Sequence, residues 1–382
     1  MKLKYILLPL LLISANSCQM SEKKEEINTQ PEEAKIQTKL PKNIILMIGD
    51  GMGISQITAG MYANNSYLNL ERCKVIGLIK THSENDLITD SSAGATAFAT
   101  GKKTKNGMVS QAMKDSADLK TFIEYAEEDK KATGIVVTST VTHATPACFY
   151  AHFPRRYNAN GPISEQFMGK GIDVLIGGGR HYFENRKDGR NLLTELKEDN
   201  YTVLDTMTQE FDTKEIDKLV YLYSPRQPGK LVFTKGDEHP SRGPILPLAT
   251  EKALEVLKKD TNGFFMMVEG SQIDWGGHNN DSEYIINEVK DFDKAIKKVL
   301  DFAELDGETL VIITADHETG GYAIIDGNKD GTQMKGGFST EHHSASMIPV
   351  FAFGKGAEEF AGIYDNTEIF NKMMKAFSLS SN

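Results

Sequence analysis

Carboxylates and imidazoles gather directly behind apolar runs in this chain. Ile44–Ile48 runs into Gly49-Asp50-Gly51-Met52-Gly53, Phe264–Val268 into Glu269-Gly270, and Leu310–Thr314 into Ala315-Asp316-His317-Glu318. Five residues beyond Glu269 comes Asp274, and four further on comes His278. One carboxylate after a strand is ordinarily a helix cap or a solvated turn. Several that topology brings to one edge point to metal: carboxylates mixed with imidazoles suit zinc, and oxygen-only groups suit magnesium. A further segment, Asp90-Ser91-Ser92-Ala93-Gly94-Ala95-Thr96, opens a helix of small residues. A serine there is usually a cap, yet the free N–H groups and the helix dipole also favour an anion such as phosphate.

The elements that must position these residues are legible as alternating strands and helices. Strand candidates are Ile44–Ile48, Val75–Lys80, Ile135–Thr138, Val174–Ile176, Phe264–Val268, Leu310–Thr314 and Val350–Phe353. They are continuously apolar, as central parallel strands covered on both faces are. The clearest helix runs from about Asp281 to Phe302, with Ile285, Val289, Phe292, Ile296 and Val299 on one face. This alternation predicts an α/β fold: a single large domain with a mainly parallel central sheet covered by helices on both faces. Ligands in such a fold collect beyond the carboxyl ends of the strands. Residues 181–247 are polar and carry Pro225, Pro228, Pro240 and Pro244, which reads as an insertion on the sheet surface. There is no internal repeat.

Composition sets outer bounds. The 382 residues are 40% hydrophobic and 25% charged, which excludes disordered, collagen-like and disulfide-scaffold classes. The net charge of −10 argues against a nucleic-acid-binding surface, because no basic surplus exists to replace phosphate counterions. Lys2 and Lys4 precede an apolar run from Tyr5 to Ile13, then Ala15-Asn16-Ser17 and Cys18. That is the form of a secretory signal over residues 1–17. The small residue before Cys18 resembles a bacterial lipobox, although Ala15 stands where leucine is usual. Cys18 is therefore the expected lipidation site, with ordinary signal cleavage as the alternative; attachment to a membrane is expected only through lipid, and the location is the periplasm or the cell surface. Residues 18–41 are rich in Glu, Lys, Gln and Thr and read as a flexible tether with a reach of roughly 25–30 Å. The catalytic domain is expected over 42–382. Cys73 and Cys148 sit next to apolar residues and are read as free thiols.

The segments NIILMIGDGMG, ITDSSAGATAFATG, HATP, VEGSQIDWGGH and TADHE together resemble alkaline phosphatases, in the family's order and with its internal spacings. The resemblance implies hydrolysis of phosphate monoesters through a covalent phosphoserine, at an alkaline optimum, with two zinc ions and one magnesium ion. It implies Ser91 as nucleophile and Arg156 as the clamp on the phosphoryl oxygens. Asp50, Asp316 and His317 match the ligands of the zinc that activates the nucleophile. Asp274, His278 and His343 match those of the zinc near the leaving group. Asp50 is shared with a magnesium site completed by Glu269 and Thr145, with His143 touching it through water.

Three of these positions have neighbours of the same type. His343 is preferred to His342 because Ser344-Ala345 follows it. Arg156 is preferred to Arg155 because it lies four after His152, and Ser91 to Ser92 because it follows Asp90 directly. Trp275 stands where other members carry lysine or histidine, so it belongs to the substrate side of the site but lacks one polar contact. The family is usually homodimeric. Sulfatases are excluded by the absence of a Cys/Ser-x-Pro-x-Arg context at Ser91, and pure metal storage needs neither Ser91 nor Arg156. Gly177-Gly178-Gly179-Arg180 lacks the lysine and serine of a phosphate-cradling loop. His82, His152, His181 and His239 fall outside any ligand spacing.

Overall fold

The computed structural model describes residues 40–232, 237 and 240–380. The expected leader, Cys18, the tether as far as residue 39, and His239 lie outside the described residues. Among the described residues, fourteen strands occur in chain order: β1 Asn43–Gly49, β2 Val75–Lys80, β3 Ala132–Thr140, β4 Val174–Gly178, β5 Thr202–Leu204, β6 Leu219–Ser224, β7 Phe264–Gly270, β8 Thr309–Thr314, β9 Glu318–Thr319, β10 Ala323–Asp326, β11 Lys335–Gly337, β12 His343–Ser344, β13 Ile348–Gly354 and β14 Gly362–Asp365. Ten of them form one sheet in the order β14-β2-β13-β8-β1-β7-β3-β4-β6-β5. All its pairings are parallel except the two made by β13, so β13 alone runs against the rest.

The apolar runs account for the centre of this order. Every residue of β1, β7 and β8 is buried, which requires cover on both faces. One cover is the Ser282–Asp306 helix, close to the expected span. Asp281 caps it by accepting from the Tyr284 N–H at 3.0 Å, and Gly307 ends it in the left-handed region at φ 69°. Its buried stripe contains Ile285, Val289, Phe292, Ile296 and Val299. The Ile54–Tyr62 helix lies against it so closely that a Cβ on Gly60 would fall 2.4 Å from Val289 Cγ1.

Two expectations need correction. Val350–Phe353, expected among the parallel strands, lies within β13, which is antiparallel to both of its neighbours, because strand direction leaves no trace in apolar content. Residues 181–247, expected as a surface insertion, contribute β5 and β6 to the sheet, with Leu219 paired to Val174 and Val220 to Leu175. The short buried run Leu219–Leu222 is hidden among polar residues and prolines, so average composition conceals it. Cys73 and Cys148 are buried free thiols. Among the described residues, no helix is long and apolar enough to cross a membrane.

After β6 the chain returns to the long helix at a buried ion cluster. Arg242 Nη2 lies 2.5 Å from Glu288 Oε2 and Nη1 lies 2.9 Å from Asp291 Oδ2, with all three side chains essentially excluded from solvent. Removing one member of such a cluster strands the others in low dielectric, at a cost of about 3–5 kcal/mol. Arg242→Met is therefore expected to lose stability of that order in urea unfolding at neutral pH, and less at acid pH, where Glu288 and Asp291 take up protons. An unchanged midpoint at neutral pH would contradict this.

Candidate active site

Adjacent central strands deliver the chemistry to one edge. β1 leads directly into Asp50, β8 leads through Ala315 into Asp316 and His317, and β7 carries Glu269 before the chain turns into the Ile273–His278 helix. On that helix Asp274 and His278 are four apart, which places them on one face. β3 leads to His143 and the Ala144–Ala147 turn of helix that holds Thr145. His343 arrives on the two-residue strand β12, paired with Thr319 of β9. Ser91 is the first residue of the Ser91–Thr100 helix, whose cap is Asp90, accepting from the Ala93 N–H at 2.9 Å.

Close approach explains the small residues. Gly51 has φ 72°, and a Cβ there would lie 2.6 Å from the Asp274 Cα, so the turn after β1 rests directly on the ligand helix. A Cβ on Gly94 would meet Asp316 Cβ at 3.0 Å, which keeps the serine helix tight against the end of β8.

Two clusters result, with His317 between them. Ligand atoms of Asp50, Asp316 and His317 lie within 4.8 Å of one another, and so do those of Asp274, His317 and His343. His317 Nε2 is 3.2 Å from Asp316 Oδ2, 3.5 Å from Asp50 Oδ1 and 3.3 Å from Ser91 Oγ. In the second group, Asp274 Oδ1 is 3.3 Å from His278 Nε2 and 3.5 Å from His343 Nε2, and the two imidazole nitrogens are 3.2 Å apart. The His317 and His343 rings stack at 3.5 Å.

Backbone carbonyls set the outward nitrogens. His278 Nδ1 lies 2.6 Å from the Glu341 carbonyl and His343 Nδ1 lies 2.8 Å from that of Thr89. An N–H donated there leaves the lone pair on Nε2, facing the cluster, as a metal ligand requires. Thr319 does the same for His317: its hydroxyl donates to Asp274 Oδ1 at 2.5 Å and stands 3.2 Å from His317 Nδ1. Sequence reasoning missed Thr319, since threonine is no ligand for zinc; its place two residues after His317 was the only signal.

Thr145 Oγ1 donates to Asp50 Oδ2 at 3.5 Å, while Glu269 accepts from Ser271 Oγ at 2.5 Å and Ser139 Oγ at 3.4 Å. The His143 ring meets Trp275 edge to face at 5.9 Å. Arg156 sits over the Tyr157 ring, its Nε 3.7 Å from Asp90 Oδ2, so it is tied to the residue before Ser91. Arg155 and His342, the neighbours of the same type, are exposed. Of the other histidines, His82 faces Asp365, His152 faces Glu124, and His181 faces Arg226.

The charge is unbalanced. Asp50, Glu269 and Asp316 are fully buried, and Asp50 Oδ1, Glu269 Oε1 and Asp316 Oδ2 have no hydrogen-bond partner of good geometry. Burial, then the charges of Asp316, Asp274 and Glu269, push the Asp50 carboxyl well above the usual range. Burial drives Glu269 up to about 8. Burial also opposes ionisation of Asp316, but His317 more than offsets it and holds this carboxyl low. His143 is pushed down to about 3 by burial and then by the Arg156 charge, and His343 to about 4 by burial and His317. Burial opposes the charge of His317, but Asp316 more than offsets it and raises this imidazole. Imidazole nitrogens and orphaned carboxylate oxygens are a donor set that fits divalent cations, which take the place of the protons.

An α/β sheet with buried metal-ligand clusters beyond its strand ends, one of them touching a serine at a helix N-terminus, defines a class of metal-dependent hydrolase. A model of the alkaline phosphatase family matches residues 41–336 and 326–379. Alkaline phosphatase 4 of Bacillus subtilis is 33% identical over 98% of this chain and 97% of its own length. The structure of alkaline phosphatase from the Antarctic bacterium TAB5 is 43% identical and superposes with a TM-score of 0.82, covering 90% of this chain and 100% of that one. A histidine-to-aspartate mutant of the TAB5 enzyme, with Mg bound in its M3 site, superposes with a TM-score of 0.81 at 43% identity, over 90% of this chain and 100% of that one. The chain belongs to the alkaline phosphatase family, whose members are metal-dependent hydrolases of phosphate monoesters.

Because Glu269 holds its proton up to about 8, a cation must displace that proton to bind. Divalent-cation affinity of chelator-stripped protein at this carboxylate is expected to rise by about tenfold per pH unit for each proton released, and to flatten above the Glu269 value. Calorimetric titration in buffers of different ionisation heat reads both affinity and proton release. Affinity independent of pH would contradict displacement of the Glu269 proton by the cation.

Proposed function

We propose that this chain hydrolyses phosphate monoesters through a phosphoserine on Ser91, using two zinc ions and one magnesium ion. The observation that carries the reading is the Ser91 hydroxyl, 3.3 Å from His317 Nε2 at the junction of the two clusters. Asp50, Asp316 and His317 would hold the zinc beside Ser91, and Asp274, His278 and His343 the second. Asp50, Glu269 and Thr145 would hold magnesium, with His143 at its edge. When bound, the ions supply Lewis acidity that lowers the pKa of a hydroxyl and stabilises a leaving oxygen.

The chain's own residues do the rest. The Ser91 oxygen attacks phosphorus in line, the ester P–O bond breaks, and the alcohol departs. Water then attacks the phosphoserine from the opposite side, releasing phosphate and restoring the hydroxyl. The guanidinium of Arg156 offers two parallel donors to the equatorial oxygens, a geometry that lysine lacks. Its tie to Asp90 and its seat on Tyr157 keep it beside Ser91 before substrate arrives. The basic and apolar leader over residues 1–17 supports export, and Cys18 directly after it supports a lipid anchor for this enzyme.

Ser91→Ala is expected to lower kcat toward p-nitrophenyl phosphate by on the order of 10³-fold or more, because it removes the nucleophile and not the clusters. Zinc content of the folded variant, measured alongside, is expected to equal that of the wild type. Retained turnover in the variant would overturn the phosphoserine reading.

A further inference from the structure

Against the helix that bears Asp274 and His278 lies a cavity of ≈ 280 Å³ that the proposed chemistry does not use. Its wall includes Trp275 and Asn279, the residues that follow Asp274 and His278 in the chain. Another part of the wall is the Gln227–Lys230 stretch that leaves β6. That stretch is pinned to the ligand helix: the Gln272 amide donates to the carbonyls of Pro228 at 3.3 Å and Gly229 at 3.2 Å. Tyr284 in turn donates its hydroxyl to Gln272 Oε1 at 2.7 Å.

The chemistry of the wall limits what fits. Lys230 is the cation here, but it lies over the Tyr284 ring at 5.0 Å and pairs with Asp237 at 3.0 Å. Its charge is answered within the wall, so the cavity does not select a second anion. Trp275 is different. His143 meets its ring edge to face at 73°, which steadies the indole, while the cavity lies against it. The volume is at the lower end of ligand sites, which run from about 300 Å³ upward, and suits one ring system better than an extended chain.

We infer that this cavity receives the alcohol half of the ester and selects alcohols that carry a planar ring, an aryl group or a nucleobase, stacked on Trp275. The inference rests on the monoesterase reading, because the helix bearing Trp275 also bears Asp274 and His278, the ligands proposed next to the leaving group. Stacking on an aromatic side chain is worth on the order of tenfold in affinity.

The chain has a single tryptophan, so its fluorescence reports this cavity alone. Metal-loaded Ser91→Ala protein is titrated with adenosine and, separately, with glycerol; saturable quenching by adenosine and none by glycerol is expected. In parallel, kcat/KM for adenosine 5′-monophosphate and for glycerol phosphate is compared in wild type, Trp275→Ala and Trp275→Phe. The alanine variant is expected to lose about tenfold more on the nucleotide than on glycerol phosphate, and the phenylalanine variant to keep most of the preference. Taking the ratio of variant to wild type removes the intrinsic reactivity of each ester. Absence of adenosine quenching, or equal losses on both esters, overturns the inference. A wild type that hydrolyses neither ester overturns the monoesterase reading instead, and the titration still decides whether a planar ring binds.

Discussion

Four carboxylates brought to one buried sheet edge are the constraint on which the rest of this structure depends. Two like charges about 4 Å apart repel by about 4 kcal/mol at an effective dielectric of about 20. Asp50, Glu269, Asp274 and Asp316 are all buried in this setting, and three of them carry an oxygen without a good partner. The fold tolerates such a set only by holding it rigidly in a form that cations complete. Gly51 lets the β1 turn lie on the Asp274 helix, Gly94 lets the serine helix approach Asp316, and carbonyl tethers aim His278 and His343 inward. Each is a cost in conformational freedom or polarity that makes sense only around that charge.

Much of this frame was legible in the chain, and for a physical reason. Central parallel strands are buried on both faces, so β1, β7 and β8 stand out as unbroken apolar runs, and the residue ending each run must emerge at the same sheet edge. That reasoning brings Asp50, Glu269 and Asp316 together with no knowledge of contacts. It fails where the delivering element is too short to have a pattern. β9 and β12 are two residues each, so only the family resemblance could assign His343. Thr319 acts on His317 and Asp274 through hydrogen bonds alone, and its place two residues after His317 is too weak a signal to mark it.

The same limit explains what was misread at the sheet's margins. Apolar content says that Val350–Phe353 is buried but not that β13 runs against its neighbours. β6 is one short apolar run between a polar stretch and a proline-rich one, and the stretch after it does two jobs. Its near end, at Pro228 and Gly229, is pinned to Gln272 beside the ligand helix, and its far end is anchored by Arg242 between Glu288 and Asp291. The segment that composition alone marks as peripheral therefore packs against the start of the helix that bears Asp274 and His278.

The central claim is that phosphate passes through Ser91. Its most direct measurement is mass spectrometry of the peptide containing Ser91 after acid quenching of the metal-loaded enzyme during turnover of a phosphate monoester. The account predicts phosphate on Ser91 in that sample, absent when substrate is omitted or the metals are stripped. Turnover at full rate with Ser91 never phosphorylated, or phosphate carried on Ser92 instead, would contradict it.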